Sequence, residues 1–568
     1  MRKTKVVLAK VLSAAMVISS FAGVQGITSE AAAKPKLSKK SVSITVGKTK
    51  KITIKNAKKY KVSWKMKSKK IASFKKSGKY AVKVKAKKAG KTTLTATIKK
   101  GKKTKKLVCK ITVKKNSPKV TKTPVNTPTT SPSNVPKTTA VPTATATAKP
   151  QDTTPAMKEI FKGVIDNVGT CLTYNQTWNN RKEMQDASTM EFVDKNFNSF
   201  TLENEMKPDN MLNKKTTISV ADAKAKGYVI SDDYKESTVP ELTLETIDGV
   251  LAIAKQHNIR MRAHTLMWHQ QTPTWFFKKN YDDEEAVVDE ATMNARLEFF
   301  VRTVMRYTMQ KEKELTGEVG SIVYAWDVLN EYIHRSNAAE AATWVSVYGD
   351  MGLKPTYVKA AFEYAYDELK RENVQDKVTL FYNDYDTYFS VDDELALISY
   401  INEGEKAKIC GGIGMQSHVD IKRPTLEEYG NALKAFINAG LEVQITELDI
   451  TINFDTDDTD GRTPSYGYKN EKETDADQAA FTKDFIKQIV DIQKNLQKNR
   501  DKNKSLKGIT GITVWGISDQ TSWRGSCRPL FFTRKNVGRV KDETTGKYKP
   551  VYSYVPKKSY EAMIEALK

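Results

Sequence analysis

The feature that most restricts the fold of this chain is a series of eight short apolar runs between residues 156 and 568. Amphipathic stretches with helical spacing, such as 244–257 and 357–371, separate most of these runs. The predicted strands are 168–173, 197–203, 259–268, 322–331, 378–385, 412–418, 443–449 and 509–519. Eight strand–helix units of this kind predict an α/β fold, specifically a (β/α)8 TIM barrel with sizeable loop insertions.

Polar and aromatic residues gather at the C-terminal ends of the predicted strands. The second strand continues into LENEMK, the third ends HTLMWHQQ, the fourth ends WDVLNE and the seventh ends ITELD. In a parallel barrel all of these ends open on one face, where the loops that follow the strands build the functional site. The sequence therefore predicts one polar site, lined by aromatic residues, at that face.

Residues 156–568 resemble glycoside hydrolase family 10, the retaining endo-β-1,4-xylanases, over essentially the whole predicted barrel. The motifs that carry the resemblance are FNSFTLENEMK, HTLMWHQQ, WDVLNE, FYNDYD, GIGMQSH, ITELDI and TVWGISDQTSW. A polar segment at 213–240 is longer than in compact members of the family and follows the second strand. The resemblance implies an enzyme that hydrolyses internal β-1,4-xylosidic bonds of xylan by double displacement.

Two glutamates are the predicted catalytic residues. A retaining glycosidase needs a carboxylic acid that protonates the leaving oxygen and a carboxylate, about 5–5.5 Å away, that captures the anomeric carbon. Glu331, at the end of the fourth strand, matches the family's general acid/base, and Glu447, at the end of the seventh, matches its nucleophile. We expect burial and the charge of Glu447 to raise the pKa of Glu331.

The resemblance also implies residues that support these two glutamates. His418 and Asp449 match the pair that orients the nucleophile, with a hydrogen bond from His418 to Glu447. Asn330 matches the donor to the 2-hydroxyl of the sugar undergoing cleavage, a hydrogen bond that strengthens in the transition state.

The remaining predicted site residues bind the sugar chain. Trp515 and Trp523 match an aromatic pair over the −1 sugar, and Tyr385 matches a stacking residue on the aglycone side. Polar and aromatic residues predicted to line the glycone side are Glu203, Asn204, Lys207, His264, Trp268, Gln271 and Gln416.

Alternative functions make different demands on the sequence. A catalytic metal at His264 and His269 is disfavoured, because they are five positions apart, no third ligand lies near in the sequence and strand geometry places them on opposite faces. The sequence offers no phosphate-binding glycine loop, and we expect no cofactor. The open alternatives are a retaining endo-glucanase acting on another β-1,4-glycan, and a non-catalytic glycan-binding protein of the cell surface.

The basic charge of the chain is confined to its N-terminal part. The net charge is +28, yet residues 34–115 contain 32 Lys and no Arg, Asp or Glu, which leaves −11 for residues 151–568. Short alternating strands separated by glycines predict a small all-β sandwich, which resembles the bacterial immunoglobulin-like group 2 domains. Two roles stay open: a solvated spacer, or electrostatic adhesion to anionic cell-wall polymers. Nucleic acid is disfavoured, because no basic motif is interleaved with aromatic residues.

Two further segments are predicted from composition. Residues 1–33 combine basic residues, an apolar run and small residues before a candidate cleavage site, and are predicted to be a secretory signal peptide. Residues 116–155 form a Pro/Thr-rich linker. We therefore expect a secreted protein, associated with the cell wall if the Lys-rich domain binds there, monomeric and without a membrane span in the mature chain.

Overall fold

The computed structural model describes two units of this chain. The first is described over 35–114, except for 40, 47, 56, 58–59 and 101–102. The second is described over 154–568, except for 177–180, 336–338, 454–472, 500, 502–503, 542–545 and 547. The predicted signal peptide and nearly all of the predicted linker lie outside the described residues. Among the residues described, no helix is long and apolar enough to cross a membrane.

The second unit is built on eight parallel strands that follow the predicted apolar runs. They are β1 (Asn167–Leu172), β2 (Ser199–Leu202), β3 (Arg260–Trp268), β4 (Val323–Asn330), β5 (Thr379–Asp384), β6 (Gly412–Met415), β7 (Glu442–Thr451) and β8 (Gly508–Val514). Every residue of β1, β2, β4, β6 and β7 is buried, as expected for strands covered on both sides.

These strands close into a barrel. Each strand pairs in parallel with the next, and β8 pairs with β1 through Ile512 opposite Val168. The prediction of a (β/α)8 barrel is therefore confirmed. The eighth predicted strand extended to residue 519, but β8 ends at Val514, and Gly516 (φ 127°) turns the chain in a conformation that favours glycine.

A main helix follows each strand. These helices are α1 (Ala187–Asn196), α2 (Glu245–Gln256), α3 (Glu290–Thr316), α4 (Thr356–Glu372), α5 (Val391–Ile401), α6 (Leu426–Asn438), α7 (Asp475–Lys498) and α8 (Lys558–Ala566). In α6 the apolar face buries Leu433 and Phe436, and a capping box between Thr425 and Glu428 satisfies the first backbone donors. Burial of such faces against the barrel builds one continuous hydrophobic core.

The long loops contain short elements. In the 213–240 segment, strands Thr217–Ser219 and Thr238–Pro240 pair around helix Val220–Ala225, and Glu236 accepts a 2.6 Å hydrogen bond from the buried Arg296 of α3. An antiparallel pair, Phe532–Lys541 and Tyr548–Pro556, precedes α8. Other short elements are helices Met157–Ile160, Pro208–Met211 and Ala339–Tyr348, 3-10 turns Glu183–Gln185, Thr274–Phe277, Lys279–Tyr281 and Gly525–Cys527, and strand His418–Asp420.

The first unit is an all-β sandwich. One sheet has the strand order Lys36–Leu37, Thr49–Lys55, Ala81–Ala86, Ala72–Gly78; the other has the order Ser41–Thr45, Lys103–Lys114, Gly90–Lys100, Lys61–Met66. Buried residues of both sheets, including Ile52, Val82, Leu94 and Ile111, form one core. The predicted small all-β fold is confirmed, while its assignment to the immunoglobulin-like group 2 domains stays a prediction.

The barrel core predicts a contrast between two valine truncations. Val443 in β7 is fully buried, whereas Val537 in the antiparallel pair before α8 is 56% exposed. Val443→Ala should lower the free energy of unfolding of the barrel by roughly 2–3 kcal/mol, because it removes buried methyl groups and leaves a cavity. The matched control Val537→Ala should change it by less than about 0.5 kcal/mol. Urea unfolding monitored by tryptophan fluorescence measures both values, and equal effects would contradict the proposed packing.

Candidate active site

Of the two predicted catalytic glutamates, Glu331 directly follows β4, and Glu447 lies in the C-terminal half of β7, which continues to Thr451. The backbone N–H of Glu331 donates to the carbonyl of Asn383 at 2.8 Å, and that of Glu447 donates to the carbonyl of Gln416 at 2.9 Å. Glu331 has a left-handed backbone conformation, with φ 57°, which is uncommon for a residue other than glycine. Both side chains are more than nine-tenths buried. Strand pairing thus fixes the backbone from which each carboxyl group projects.

Three amide side chains connect the two carboxyl groups. Gln416 Nε2 donates to Glu331 Oε1 at 3.0 Å and to Asn330 Oδ1 at 3.3 Å. Asn383 Nδ2 donates to the same Asn330 oxygen and to Glu447 Oε1, both at 2.9 Å. The resulting bridge, Glu331–Gln416–Asn330–Asn383–Glu447, joins the C-terminal ends of β4, β5 and β6 to Glu447 of β7 in one buried cluster. We refer to it as the amide bridge.

Glu447 is held as a carboxylate by cationic neighbours. Burial would raise its pKa, but the hydrogen bond from His418 and the positive charges of His264, His418 and Lys207 lower the pKa to about 2. His418 Nε2 lies 3.3 Å from Glu447 Oε2, and His418 Nδ1 lies 2.8 Å from Asp449 Oδ2. Burial opposes protonation of His418, but the charge of Asp449 and hydrogen bonds to both carboxylates raise its pKa to about 9. At neutral pH His418 is therefore a cation that donates to both carboxylates.

Glu331 binds a proton much more tightly than Glu447 does. Burial and the nearby charge of Asp384 raise its pKa, with a smaller contribution from Glu447, while hydrogen bonds from Gln416 and Trp268 lower it; the result is a pKa of about 7. The indole Nε1 of Trp268 donates to Glu331 Oε2 at 2.8 Å. One buried carboxyl group of the pair is therefore protonated up to neutral pH while the other is ionised, which suits an acid and a nucleophile.

Asp384 lies at the centre of a second buried network. Its Oδ1 accepts the backbone N–H of Tyr385 at 2.8 Å and lies 3.1 Å from His334 Nδ1. Its Oδ2 accepts the backbone N–H of Ile333 at 3.2 Å and the hydroxyl of Tyr382. Burial and the charge of Asp384 raise the pKa of the neighbouring Glu394 well above its usual range. This network fixes the position of the Asp384 carboxyl group beside Glu331.

His334, Asp384 and Glu394 are also, among the described residues, the one group of three potential metal ligands whose ligand atoms lie within 4.8 Å of one another. Both oxygens of Asp384 already accept backbone hydrogen bonds. The protein's own donors therefore already meet the needs of that carboxylate, and a hydrogen-bonded network describes the group better than a metal site does.

Lys207 connects two of the other residues predicted on the glycone side, Trp268 and Asn204. Lys207 Nζ lies 4.8 Å from the centre of the Trp268 ring and 3.3 Å from Asn204 Oδ1. Glu203 Oε2 accepts a 2.6 Å hydrogen bond from Arg181, and burial raises the pKa of Glu203 despite that arginine. Gln271 follows β3, is half-buried and has a left-handed backbone with φ 49°.

A chain of buried polar side chains in the barrel interior holds the ring of His264 in place. Its Nδ1 lies 2.9 Å from Asp327 Oδ2, and the other oxygen of Asp327 accepts from the fully buried Arg262. Arg262 also donates to Gln444 Oε1 at 2.9 Å. These contacts between buried side chains fix the orientation of the His264 ring.

The predicted aromatic residues lie around the same cluster. Trp515 presents its ring edge-on to His264, at a centroid distance of 5.9 Å, and to His418 at 6.3 Å. Trp523 Nε1 donates to Asp449 Oδ2 at 3.0 Å. Tyr385 packs against the ring of His334 at 4.7 Å, and its hydroxyl donates to the backbone carbonyl of that residue at 3.0 Å.

Comparisons with known proteins decide the family. The family model described as glycosyl hydrolase family 10 matches residues 156–552. The chain belongs to glycosyl hydrolase family 10. It is 39% identical to endo-1,4-beta-xylanase A of Butyrivibrio fibrisolvens over 360 residues, which cover 63% of this chain and 77% of that protein. It is 32% identical to endo-1,4-beta-xylanase B of the same organism over 63% of this chain and half of that protein.

One solved relative has the same overall fold. The crystal structure of the CBM22-1–GH10 modules of the N-terminal endo-1,4-beta-D-xylanase 10B of Clostridium thermocellum, complexed with xylohexaose, superposes with a TM-score of 0.50. The two chains are 26% identical, and the match covers 73% of this chain and 68% of that one. The prediction of a glycoside-hydrolysing barrel enzyme is therefore confirmed.

Several residues of this family 10 site were not selected from the sequence. Asn383 connects Asn330 to Glu447, and Asp384 contributes more than Glu447 to the raised pKa of Glu331. Both stand in the FYNDYD motif, from which only Tyr385 was selected. Their position at the C-terminal end of the fifth predicted strand is the sequence feature that could have identified them as site residues. The partners that make them important come from β4 and β7 and are distant in the sequence.

The electrostatics of the site predict a specific shift in Asp384→Asn. Titration of glutamate-labelled protein by carboxyl 13C NMR should show Glu331 with a pKa of about 7, assigned by its absence in Glu331→Gln, and Glu447 with a pKa of about 2. Asp384→Asn should lower the pKa of Glu331, because it removes the neighbouring negative charge. The control Asp491→Asn, on the exposed side of α7, should leave that pKa unchanged. An unchanged pKa in Asp384→Asn would refute this role of Asp384.

Proposed function

We propose that this family 10 enzyme is a secreted endo-1,4-β-xylanase that hydrolyses internal bonds of xylan with retention of anomeric configuration. The observation that carries the proposal is the pair of buried carboxyl groups with opposite proton affinities, joined by the amide bridge. The curated relatives named as endo-1,4-beta-xylanases support xylan as the substrate. The signal sequence predicted at residues 1–33 supports secretion.

In the first step we assign Glu447 as the nucleophile and Glu331 as the acid. The Glu447 carboxylate attacks the anomeric carbon as the glycosidic bond breaks, and Glu331 transfers its proton to the leaving oxygen. The products of this step are a glycosyl ester on Glu447 and a free aglycone. The pKa of about 2 keeps Glu447 ionised, and the pKa of about 7 keeps Glu331 protonated below neutral pH.

In the second step water replaces the aglycone. Glu331, now a carboxylate, removes a proton from the water as its oxygen attacks the anomeric carbon and the ester bond to Glu447 breaks. Formation of the ester removes the negative charge of Glu447, which is one of the groups that raises the pKa of Glu331. Loss of that charge lowers the pKa of Glu331 and so favours its role as a base.

The surrounding residues position these groups in the proposed mechanism. His418, fixed by Asp449, donates to the Glu447 oxygen that does not bind Asn383. The Asn330 oxygen accepts from two amides, so its NH2 group is the donor we assign to the sugar 2-hydroxyl. These hydrogen bonds fix the geometry before substrate binds and therefore lower the reorganisation needed in the transition state.

The sugar-binding surface is proposed to favour a pentose. Buried Lys207 and Glu203 and half-buried Asn204 form a polar group near Trp268 that is suited to sugar hydroxyl groups, and we propose that it disfavours an extra hydroxymethyl group. The competing function is a retaining endo-glucanase on another β-1,4-glycan. A non-catalytic surface role is disfavoured, because the proposed acid and nucleophile are both present and differ in pKa as catalysis requires.

Removal of the proposed nucleophile tests the catalytic assignment. Glu447→Ala should reduce hydrolysis of xylan on the order of 10³-fold or more, as expected for loss of a covalent catalyst, while binding of xylo-oligosaccharides measured by calorimetry persists. Glu191→Ala on the exposed side of α1 is the matched control and should retain full activity. Anomeric NMR of the first products should show the β-anomer. Substantial turnover by Glu447→Ala, or the α-anomer first, would exclude the proposed mechanism.

Substrate choice separates the xylanase from the glucanase. The enzyme should release reducing ends from xylan and little or none from carboxymethylcellulose, because the glycone site would exclude the C6 hydroxymethyl group. A reducing-end assay on both polymers at equal mass concentration is the measurement, and Glu447→Ala supplies the background rate. Faster hydrolysis of carboxymethylcellulose would overturn the assignment to xylan while leaving the family 10 chemistry intact.

A further inference from the structure

The sandwich of the first unit has one face that is unusually rich in lysine. This face is the outward side of the sheet formed by strands Lys36–Leu37, Thr49–Lys55, Ala81–Ala86 and Ala72–Gly78. All of its lysines are exposed. We define the lysine face by six of them: Lys36, Lys51, Lys55, Lys75, Lys83 and Lys85.

Strand register brings these lysines side by side. Lys83 lies directly opposite Lys51 on one neighbouring strand and opposite Lys75 on the other, so three lysines form a row across the sheet. Lys36 and Lys55 are also directly opposite each other. Alternation places these side chains outward, because the intervening residues, such as Ile52, Val82 and Val84, are completely buried in the core.

This unit has no negatively charged side chains that could neutralise the row of lysines. Residues 34–115 contain no Asp or Glu, so no carboxylate side chain of the domain can pair with these lysines. Like charges directly opposite each other in a sheet are destabilising. The row of lysines therefore destabilises the folded sandwich. Because the row does not contribute to stability, we interpret it as a binding surface.

The opposite face of the sandwich is different. On the outward side of the second sheet, most lysines stand opposite hydroxyl residues: Lys110 is paired with Thr93, Lys65 with Thr95, and Lys106 with Thr97. Lys61 stands opposite Lys99, but Thr104 on the next strand ends that row at two lysines. The two faces carry lysine from the same Lys-rich sequence, but only the lysine face has a continuous row across three strands.

The absence of arginine indicates binding by charge and spacing rather than by paired hydrogen bonds. Residues 34–115 contain 32 Lys and no Arg. Arginine binds carboxylates and phosphates through two parallel hydrogen bonds, whereas lysine acts as a compact point charge that binds phosphate without such a geometric requirement. Neighbouring strands are about 4.8 Å apart, and alternate residues of a strand are about 6.6 Å apart. Such spacing suits a polymer with a closely repeated negative charge.

We propose that the lysine face binds a linear polymer of polyol phosphate, such as a poly(glycerol phosphate) chain of a bacterial cell wall. Each phosphodiester carries one negative charge with no planar carboxylate geometry, and a flexible chain can follow the row of lysines. The described strand residues on this face include no aromatic side chain on which a base could stack, which favours this polymer over a nucleic acid. The proposal is independent of the xylanase assignment.

Two matched charge variants of the full-length chain test this proposal. The face variant combines Lys51→Gln, Lys75→Gln, Lys83→Gln and Lys85→Gln. The control variant combines four substitutions on the other sheet, Lys65→Gln, Lys91→Gln, Lys106→Gln and Lys110→Gln. Both lower the net charge by the same amount at exposed positions, and both replace lysine with a neutral polar residue.

Binding is measured to poly(glycerol phosphate) immobilised on beads, across a range of salt concentrations. The face variant should bind on the order of tenfold or more weakly, and its log–log salt slope should fall by about 3 because four phosphate contacts are lost. The control variant should bind within about threefold of the unchanged chain, since long-range charge is equal in both. Unchanged xylan hydrolysis and an unchanged circular dichroism spectrum verify that the variants are folded.

Two further arms distinguish the ligand. Polygalacturonate presents carboxylates at a similar spacing, and duplex DNA presents phosphodiesters together with bases; both should bind more weakly than poly(glycerol phosphate) at equal charge concentration. Equal losses in the two variants would overturn the localisation to the lysine face. Stronger binding to polygalacturonate or to DNA would overturn the assignment to a polyol phosphate polymer.

Discussion

Closure of eight parallel strands is the constraint on which the site of this enzyme depends. Because β6 pairs with β7 and β8 pairs with β1, all C-terminal strand ends meet at one face. Backbone hydrogen bonds across the closed sheet then fix Glu331 to Asn383 and Glu447 to Gln416. The amide bridge can form only with that register, since its five side chains come from four different strands or the residues that directly follow them.

Two glutamates that are both deeply buried nevertheless differ in proton affinity. Burial alone raises the pKa of both Glu331 and Glu447. Glu447 is surrounded by His418, His264 and Lys207 and remains ionised, whereas Glu331 lies near the charge of Asp384 and retains its proton. The difference in proton affinity therefore arises from the neighbours of each carboxyl group, and those neighbours are placed by the closure of the barrel.

The chain also separates two kinds of electrostatics. Around the active site of the barrel, charged side chains are buried and bonded to one another, as between Arg262, Asp327 and His264. In the sandwich, charges are many, exposed and of one sign. Buried pairs fix geometry for chemistry, whereas an exposed row of one sign attracts a polymer over a distance and is screened by salt. The net charge of the whole chain describes neither unit.

The amino-acid sequence by itself determined the α/β class, the eight strands, the two glutamates and the position of the lysines, because periodicity and motifs are local properties. Only the tertiary structure decided which side chains meet. The amide bridge, the effect of Asp384 on Glu331 and the lysine row each join residues from different strands. The end of β8 at Val514, rather than at 519, also depends on where the barrel's hydrogen-bond register stops. Hydrogen bonds and Coulomb interactions depend on the distance between atoms in space. The number of residues between two positions in the sequence does not give that distance, so the sequence alone could not show these contacts.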